Sequence, residues 1–185
     1  MNRILKTLVT AVVYCAGMLS VVAGSTVFVS CNKEGVSRFK GNWSFKTSGM
    51  AVIAPLSESM QSEEAGRDTL HVDFVTESGQ MDIVVQDKHF DKMKVTMNIM
   101  GGDMVQFDAV ADGETLNVRP FVRSVTFRTK DKIKVNADVS VSGTARRYED
   151  IMIFEFQYEG DCRHLGHDYH ISDSQISCVA KLNDF

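Results

Sequence analysis

The segment DCRHLGHDYH, residues 161–170, contains the side chains best suited to chemistry. It holds histidines at a spacing of three, together with a cysteine and aspartates: His164, His167 and His170, with Cys162, Asp161 and Asp168. Imidazole, thiolate and carboxylate are the ligand types of zinc and similar ions. On a strand, however, a spacing of three places neighbouring side chains on opposite faces. We therefore predict no metal site and interpret the segment as a solvated loop closing the last hairpin, with a metal-assisted hydrolase as an alternative.

Motifs for other chemistry do not occur in the sequence, which has no G-x-S-x-G, H-E-x-x-H, P-loop or EF-hand pattern. Acidic segments such as DGE at 112–114 and EGD at 159–161 are typical of exposed hairpin tips. The pair Arg146–Arg147, followed by YED, indicates a mixed-charge loop. We predict no catalytic residue, no cofactor and no enzymatic activity.

The elements that position these residues follow an N-terminal leader. Arg3 and Lys6 precede an uncharged run that ends at Ser30, and the chain becomes polar directly after Cys31. Positive residues, an apolar run and small residues before a change in composition are typical of a secretory signal. The segment FVSC at 28–31 resembles a bacterial lipobox, which predicts cleavage before Cys31 and its acylation by chains such as palmitate. Ordinary cleavage after Gly24 and an uncleaved membrane span are the alternatives.

We predict three parts: a signal peptide at 1–30, a short lipid-anchored spacer at 31–40 and a single β domain at 41–185. Without the leader, 155 residues remain, enough for one domain with a substantial core. They carry 18 Lys and Arg against 24 Asp and Glu, a net charge of −6. Because no cationic footprint is present, we predict no nucleic-acid partner.

Two cysteines, Cys162 and Cys178, remain after Cys31. An exported chain sits in a compartment where disulfides form, so we predict a bridge between them. It would stabilise the fold by roughly 3 kcal/mol in the chain-entropy model. Two buried thiols are the alternative.

The chain after the leader alternates between apolar and polar residues. In KIKVNADVSVS at 132–142 and KMKVTMNIM at 92–100, every second residue is apolar. Period two predicts strands with one packed face and one wet face. Turn signals separate these runs, namely ESGQ at 77–80, GGD at 101–103, ADGE at 111–114 and TKDK at 129–132. The polar stretch at 57–66 is predicted to be a helical turn or mobile loop.

Short strands joined by tight turns predict an all-β, antiparallel, up-and-down meander of about 8–10 strands. Closing the meander into a barrel would remove its unpaired edges. A β-sandwich is the alternative. A transmembrane barrel does not fit, because the second face carries Lys, Asp, Asn and Ser.

The segment FKGNWSFKT contains Gly41 and Trp43 in a G-x-W pattern at the start of the first predicted strand. This pattern resembles the entry signature of lipocalins and other calycins, and the chain is similar to the lipocalin-like lipoproteins of bacteria. The resemblance implies a barrel whose tryptophan packs across the closed end and whose interior can hold a small apolar molecule. The candidate cavity residues are Trp43, Met81, Met93, Met97, Phe107, Phe127, Phe154 and Phe156. A solid core built from the same residues is the alternative, since methionines fill irregular cores as well as adaptable pockets.

We therefore expect a non-enzymatic lipoprotein of the bacterial cell envelope, anchored by Cys31 in a membrane, most simply the outer membrane. Its partners would be that membrane and a small apolar ligand or a protein. A structural or adhesion subunit with a β-sandwich fold is a further alternative.

Overall fold

The computed structural model describes residues 36–56, 69–86 and 91–183. The predicted signal peptide, the acylation site Cys31 and the polar stretch at 57–66 lie outside these residues. The described chain forms nine strands: β1 (Gly41–Pro55), β2 (Leu70–Phe74), β3 (Glu77–Val85), β4 (Lys92–Ile99), β5 (Met104–Asp112), β6 (Thr115–Arg128), β7 (Lys134–Tyr148), β8 (Ile151–His164) and β9 (His167–Leu182). Among the residues described, no helix is long and apolar enough to cross a membrane.

The alternating sequence pattern determines which side chains face inward. In β4, Met93, Val95 and Met97 are buried, while Lys94 between the first two and Asn98 after the third are exposed. Strands β7 and β8 repeat this alternation over most of their length. The predicted strand type and the predicted inward faces are therefore confirmed.

The strands form one antiparallel sheet in which each strand pairs with its neighbour in sequence from β3 to β9. Strand β9 also pairs with β1 along most of its length, so the hydrogen bonding returns to its starting strand and forms a ring. Strands β2 and β3 both pair with β1, β2 against Met50–Ile53 and β3 against Gly41–Thr47. The all-β antiparallel meander is confirmed, and the ring is compatible with either predicted architecture, barrel or sandwich.

A short helical turn at 36–39 packs across one end of the ring, which we call the capped end. Its side chains Val36 and Phe39 are buried, although the sequence placed them in the spacer. Trp43 is fully buried beside the turn, and the Arg147 guanidinium lies 5.1 Å from the centre of its ring. Arg147 also donates a hydrogen bond to the backbone carbonyl of Arg38. These contacts join the turn, β1 and β7.

Three local predictions are wrong. The pair Arg146–Arg147 lies in β7 and not in a loop, so that Arg147 reaches Trp43. The segment ESGQ begins strand β3 and is not a turn. The segment EGD at 159–161 lies within β8, next to a register shift between β8 and β9. In each case, pairing with a neighbouring strand outweighs the local preference of polar residues and glycine for turns.

Gly143, on β7, marks a close approach of two strands. Its φ is 157°, and a Cβ built on it would lie 2.2 Å from the backbone oxygen of Glu155 on β8. Gly113, in the β5–β6 turn, has a φ of 58° but open space around it. We expect Gly143→Ala to lower the unfolding free energy by about 2–3 kcal/mol and Gly113→Ala by about 1 kcal/mol in denaturant titrations. Equal losses for the two variants would contradict the clash.

Candidate functional site

The end of the ring opposite the capped end, which we call the mouth, contains an open cleft of about 1100 Å³. It lies among the end of β1, the β4–β5 turn, the second half of β6 and the β8–β9 hairpin. Its lining includes the inward-facing residues Phe121, Val125 and Ala137, but most of it is formed by exposed residues, including the outward-facing Ser124 and Asp138 of β6 and β7. The cleft therefore combines apolar surface with polar groups, as small-molecule sites do.

The cleft opens beside an interrupted part of the sheet, which we call the seam. Strands β5 and β6 pair only from Ala109↔Val118 to Asp112↔Thr115, and in the described chain no further pairs join them. Beyond Val118, the register of β6 against β7 shifts around Pro120. Proline has no backbone N–H to donate to a ladder, so it is found at bulges and edges. The bulge at Pro120 thus accounts for the separation of β6 from β5.

Aromatic rings fill the middle of the interior. Phe107 and Phe121 stack across the seam with their ring centres 4.6 Å apart, and Phe154 stacks on Phe156 at 5.5 Å. The eight candidate cavity residues all lie in the buried core: Trp43, Met81, Met93, Met97, Phe107, Phe127, Phe154 and Phe156. None of these eight belongs to the lining of the cleft at the mouth. The open cleft at the mouth therefore does not include this packed layer of rings.

A charged pair faces inward at the edge of the cleft. Glu77, at the start of β3, and Arg123, in β6, form an ion pair with 2.5 Å between Oε1 and Nη2. Their side chains are only 17% and 11% exposed, respectively. Both residues line the cleft. Strand β2 pairs with β6 through Asp73↔Arg128 and Phe74↔Phe127, and the Val75 N–H donates to the Thr126 carbonyl, so the ion pair lies directly beyond the end of this pairing.

Further polar groups surround the ion pair. Thr47 of β1 lies opposite Glu77 in the register and is almost completely buried. Tyr158 of β8 is also buried, and burial raises the pKa of its phenol, an effect that the nearby Arg123 charge opposes. We call Thr47, Glu77, Arg123 and Tyr158 the interior polar cluster. Because the phenol keeps its proton, the cluster carries one positive and one negative charge.

The histidine segment does not form a metal centre. His164 is buried against Tyr169, and His167 pairs with it across the two-residue turn of the β8–β9 hairpin. His170 instead contacts Asp161, with 2.8 Å between Nδ1 and Oδ1. Within the described ranges, no group of three or more His, Cys, Asp or Glu side chains is arranged to hold a metal. The prediction of a solvated loop is wrong, because residues 161–164 belong to β8 and 167–170 to β9, only Leu165 and Gly166 form the turn, and His164 is buried.

The predicted disulfide between Cys162 and Cys178 is wrong, because both thiols are free and buried. Cys178 pairs with Phe154, which lies eight residues before Cys162 on β8. Eight strand residues span about 26 Å, whereas a disulfide requires Cα atoms within about 7 Å. The two cysteines are close in sequence, but the long β8–β9 hairpin separates them.

Burial raises the pKa of the Cys162 thiol from 9.0 to about 11 and that of Cys178 to about 12. The unfolded chain loses these protons near pH 9, while the folded protein keeps them. The stabilising contribution of the thiols is therefore complete below pH 9 and declines as the pH rises towards 11.

We expect the double variant Cys162→Ala/Cys178→Ala to lose less stability than the wild type between pH 8 and pH 10. The loss of unfolding free energy in the wild type should exceed that in the variant by about 1 kcal/mol per thiol at pH 10. Urea titrations at several pH values measure it. Parallel pH profiles for the two proteins would show that the thiols do not contribute.

The residues of the interior polar cluster were not predicted, yet the sequence contains a signal for them. Arg123 occupies the same alternate positions as the inward residues Phe121, Val125 and Phe127. Once ESGQ is assigned to a strand, Glu77 likewise falls on the same face of that strand as Met81 and Ile83. A charged residue at an inward position of a strand is thus the signal that could have identified both.

No protein-family model matches the chain, and no curated protein matches it. The functional conclusion therefore rests on the fold and on the geometry of the mouth.

Proposed function

We propose that the domain is a non-enzymatic, lipocalin-like β-barrel that binds a small amphiphilic molecule at its mouth, and that Cys31 anchors it to a bacterial envelope membrane. The observation that carries the proposal is the cleft of about 1100 Å³ at the mouth. Ligand sites of small molecules typically measure about 300–1000 Å³ and combine apolar walls with a few polar groups.

The capped end supports the lipocalin-like identification. The resemblance requires the tryptophan of the G-x-W pattern at the closed end of the barrel. Trp43 is fully buried there, between the turn at 36–39 and Arg147. The ring of hydrogen bonds between β1 and β9 supports closure of the sheet. Both observations agree with a barrel that has one covered end and one accessible end.

The packed aromatic rings limit how far a ligand can enter the interior from the mouth. Phe107, Phe154 and Phe156 contact one another in the middle of the interior. A ligand would therefore lie against Phe121, Val125 and Ala137 at the mouth, where both apolar and charged groups are present. This mixture favours an amphiphile over a wholly apolar molecule, because the buried charges need polar partners.

The turn at 36–39 lies at the capped end, so an anchor at Cys31 would be at the opposite end of the ring from the mouth. Cys31 precedes Val36 by five residues, which reach at most about 18 Å when fully extended. An acylated Cys31 would thus hold the capped end near the bilayer and leave the mouth facing away from it. Arg3, Lys6 and the lipobox-like FVSC support acylation at this residue.

Native mass spectrometry of the protein isolated from its envelope tests the proposal. We expect acyl chains on Cys31 and a small molecule that is released on denaturation. The variant Ala137→Phe, which places a ring in the cleft, should lose the small molecule. The variant Val84→Phe, at an exposed position on β3, should keep it.

Two results would overturn the proposal. If Cys31 carries no lipid and Cys31→Ser leaves membrane association unchanged, the anchor is wrong. If the wild-type protein releases no small molecule and binds no amphiphilic probe, the binding function is wrong.

A further inference from the structure

Several polar atoms in the interior polar cluster are buried without a partner. Among the residues described, the buried side-chain atoms without a hydrogen-bond partner are Trp43 Nε1, Thr47 Oγ1, Glu77 Oε2 and Arg123 Nε. Three of these four belong to the cluster; Thr47, which is only 1% exposed, has just the weak thiol of Cys178 as a neighbouring hydrogen-bond partner, whereas Glu77 Oε2 and Arg123 Nε have none. Leaving a polar group buried and unpaired is costly, so such groups are normally satisfied.

The ion pair leaves part of its hydrogen-bonding capacity unused. Arg123 donates hydrogen bonds to Glu77, from Nη2 to Oε1, and to the Tyr158 phenol, while Nε and Oε2 are buried without a partner. The guanidinium Nε–H is a donor, and the carboxylate Oε2 is an acceptor. Both residues line the cleft, although these two atoms are themselves buried, and Thr47 lies opposite Glu77 in the register.

The charge balance of the cluster selects the kind of group that fits. The positive charge of Arg123 and the negative charge of Glu77 already compensate each other. An anionic group would compete with Glu77 for Arg123, and a cationic group would compete with Arg123 for Glu77. Either would leave a buried charge without compensation, which is strongly unfavourable. An uncharged group that both accepts and donates a hydrogen bond satisfies Nε and Oε2 without disturbing the pair.

We propose that the interior polar cluster binds the uncharged polar head of an amphiphile, a carboxamide or a group of similar shape, with its carbonyl on Arg123 and its N–H on Glu77. The hydrocarbon part of the amphiphile lies against Phe121 and Val125 in the cleft. This inference rests on the proposed function and names the class of ligand for the same site.

Three probes with the same eight-carbon chain test the inference: octanamide, octanoate and octyltrimethylammonium. Binding to the full chain in phosphatidylcholine nanodiscs is measured by calorimetry, with empty nanodiscs as the control for partitioning. We expect octanamide to bind roughly tenfold more tightly than either ion, which corresponds to one or two net hydrogen bonds.

Charge-changing variants make the test specific. In Glu77→Gln, the positive charge of Arg123 is left without a counter-charge, so octanoate should become the preferred probe. In Arg123→Gln, the preference should move to octyltrimethylammonium. Lys46→Gln, which removes a positive charge from an exposed position next to Thr47, should leave the ranking unchanged.

Two variants keep the test decisive if the single charge changes prevent folding. The exchange Glu77→Arg/Arg123→Glu retains a pair and should retain the preference for octanamide. Thr47→Val preserves shape and charge, and should weaken octanamide binding severalfold.

The outcomes separate this inference from the proposed function. Binding of all three probes with equal affinity, or strongest binding of octanoate to the wild type, overturns the assignment of the head group and leaves a ligand-binding domain. Failure of all three probes to bind overturns both.

Discussion

Replacing Arg123 with methionine should lower the unfolding free energy by about 3–5 kcal/mol, the usual cost of removing one partner of a buried ion pair. The reason is the charge left behind. Glu77 is 17% exposed and has its ion-pair contact with Arg123, so the variant would bury a carboxylate without compensation. Methionine approximates the length of the arginine stem, so lost packing contributes little. Urea titrations followed by circular dichroism measure the loss.

A matched comparison isolates the buried charge. The pair Arg38–Glu114 is exposed, with side-chain exposures of 36% and 87% and 3.5 Å between Nη1 and Oε1. Arg38→Met should therefore cost less than about 1 kcal/mol. The double variant Glu77→Leu/Arg123→Met should recover most of the stability lost in Arg123→Met. If Arg123→Met lowers the unfolding free energy as little as Arg38→Met does, the result would contradict the burial of the interior pair that the structure indicates.

Replacing Trp43 with alanine should also cost about 3–5 kcal/mol, the range found for large aromatic side chains in cores. Trp43 is completely buried at the capped end, where it contacts the guanidinium of Arg147. Its removal would leave a cavity in the core and would deprive Arg147 of its aromatic partner, a contact that contributes about 0.5–2 kcal/mol.

Trp43→Phe provides the control, because it keeps an aromatic ring and most of the volume. We expect it to cost clearly less than Trp43→Ala in the same denaturant titrations. Since Trp43 is the single tryptophan of the chain, circular dichroism and not fluorescence must follow unfolding in both variants. Equal and small losses for the two variants would show that the capped end does not depend on this ring.

The strand pattern was predictable because it depends on local geometry. Met93, Val95 and Met97 alternate with polar residues, and all three are buried in β4. The turns at 101–103, 111–114 and 129–132 were also predicted, and Gly101 and Gly113 adopt the positive φ that such turns require. These features need no information from distant parts of the chain.

The wrong predictions have a common cause, because each depends on the position of another strand. Cys162 and Cys178 are near each other in sequence, yet the register of β8 against β9 separates them. ESGQ resembles a turn, but its pairing with β1 extends β3 back to Glu77. The sequence around Arg147 is typical of a loop, but the residue lies in β7, where its guanidinium contacts the Trp43 ring.

The candidate site was not predictable for the same reason. Glu77 and Arg123 are 46 residues apart in the chain and meet through the closed ring of strands. The alternation of the sequence shows that both side chains face inward, but it does not show that they contact each other.

The amino-acid sequence by itself determined that the described chain folds into strands and which side chains face inward, because alternation follows from the two-residue period of a strand. The tertiary structure decided that β1 and β9 pair, that the bulge at Pro120 opens a seam beside β6, and that an opposite-charge pair lies at the mouth. These outcomes depend on register between strands distant in sequence, where packing of the whole interior and not local preference selects the arrangement.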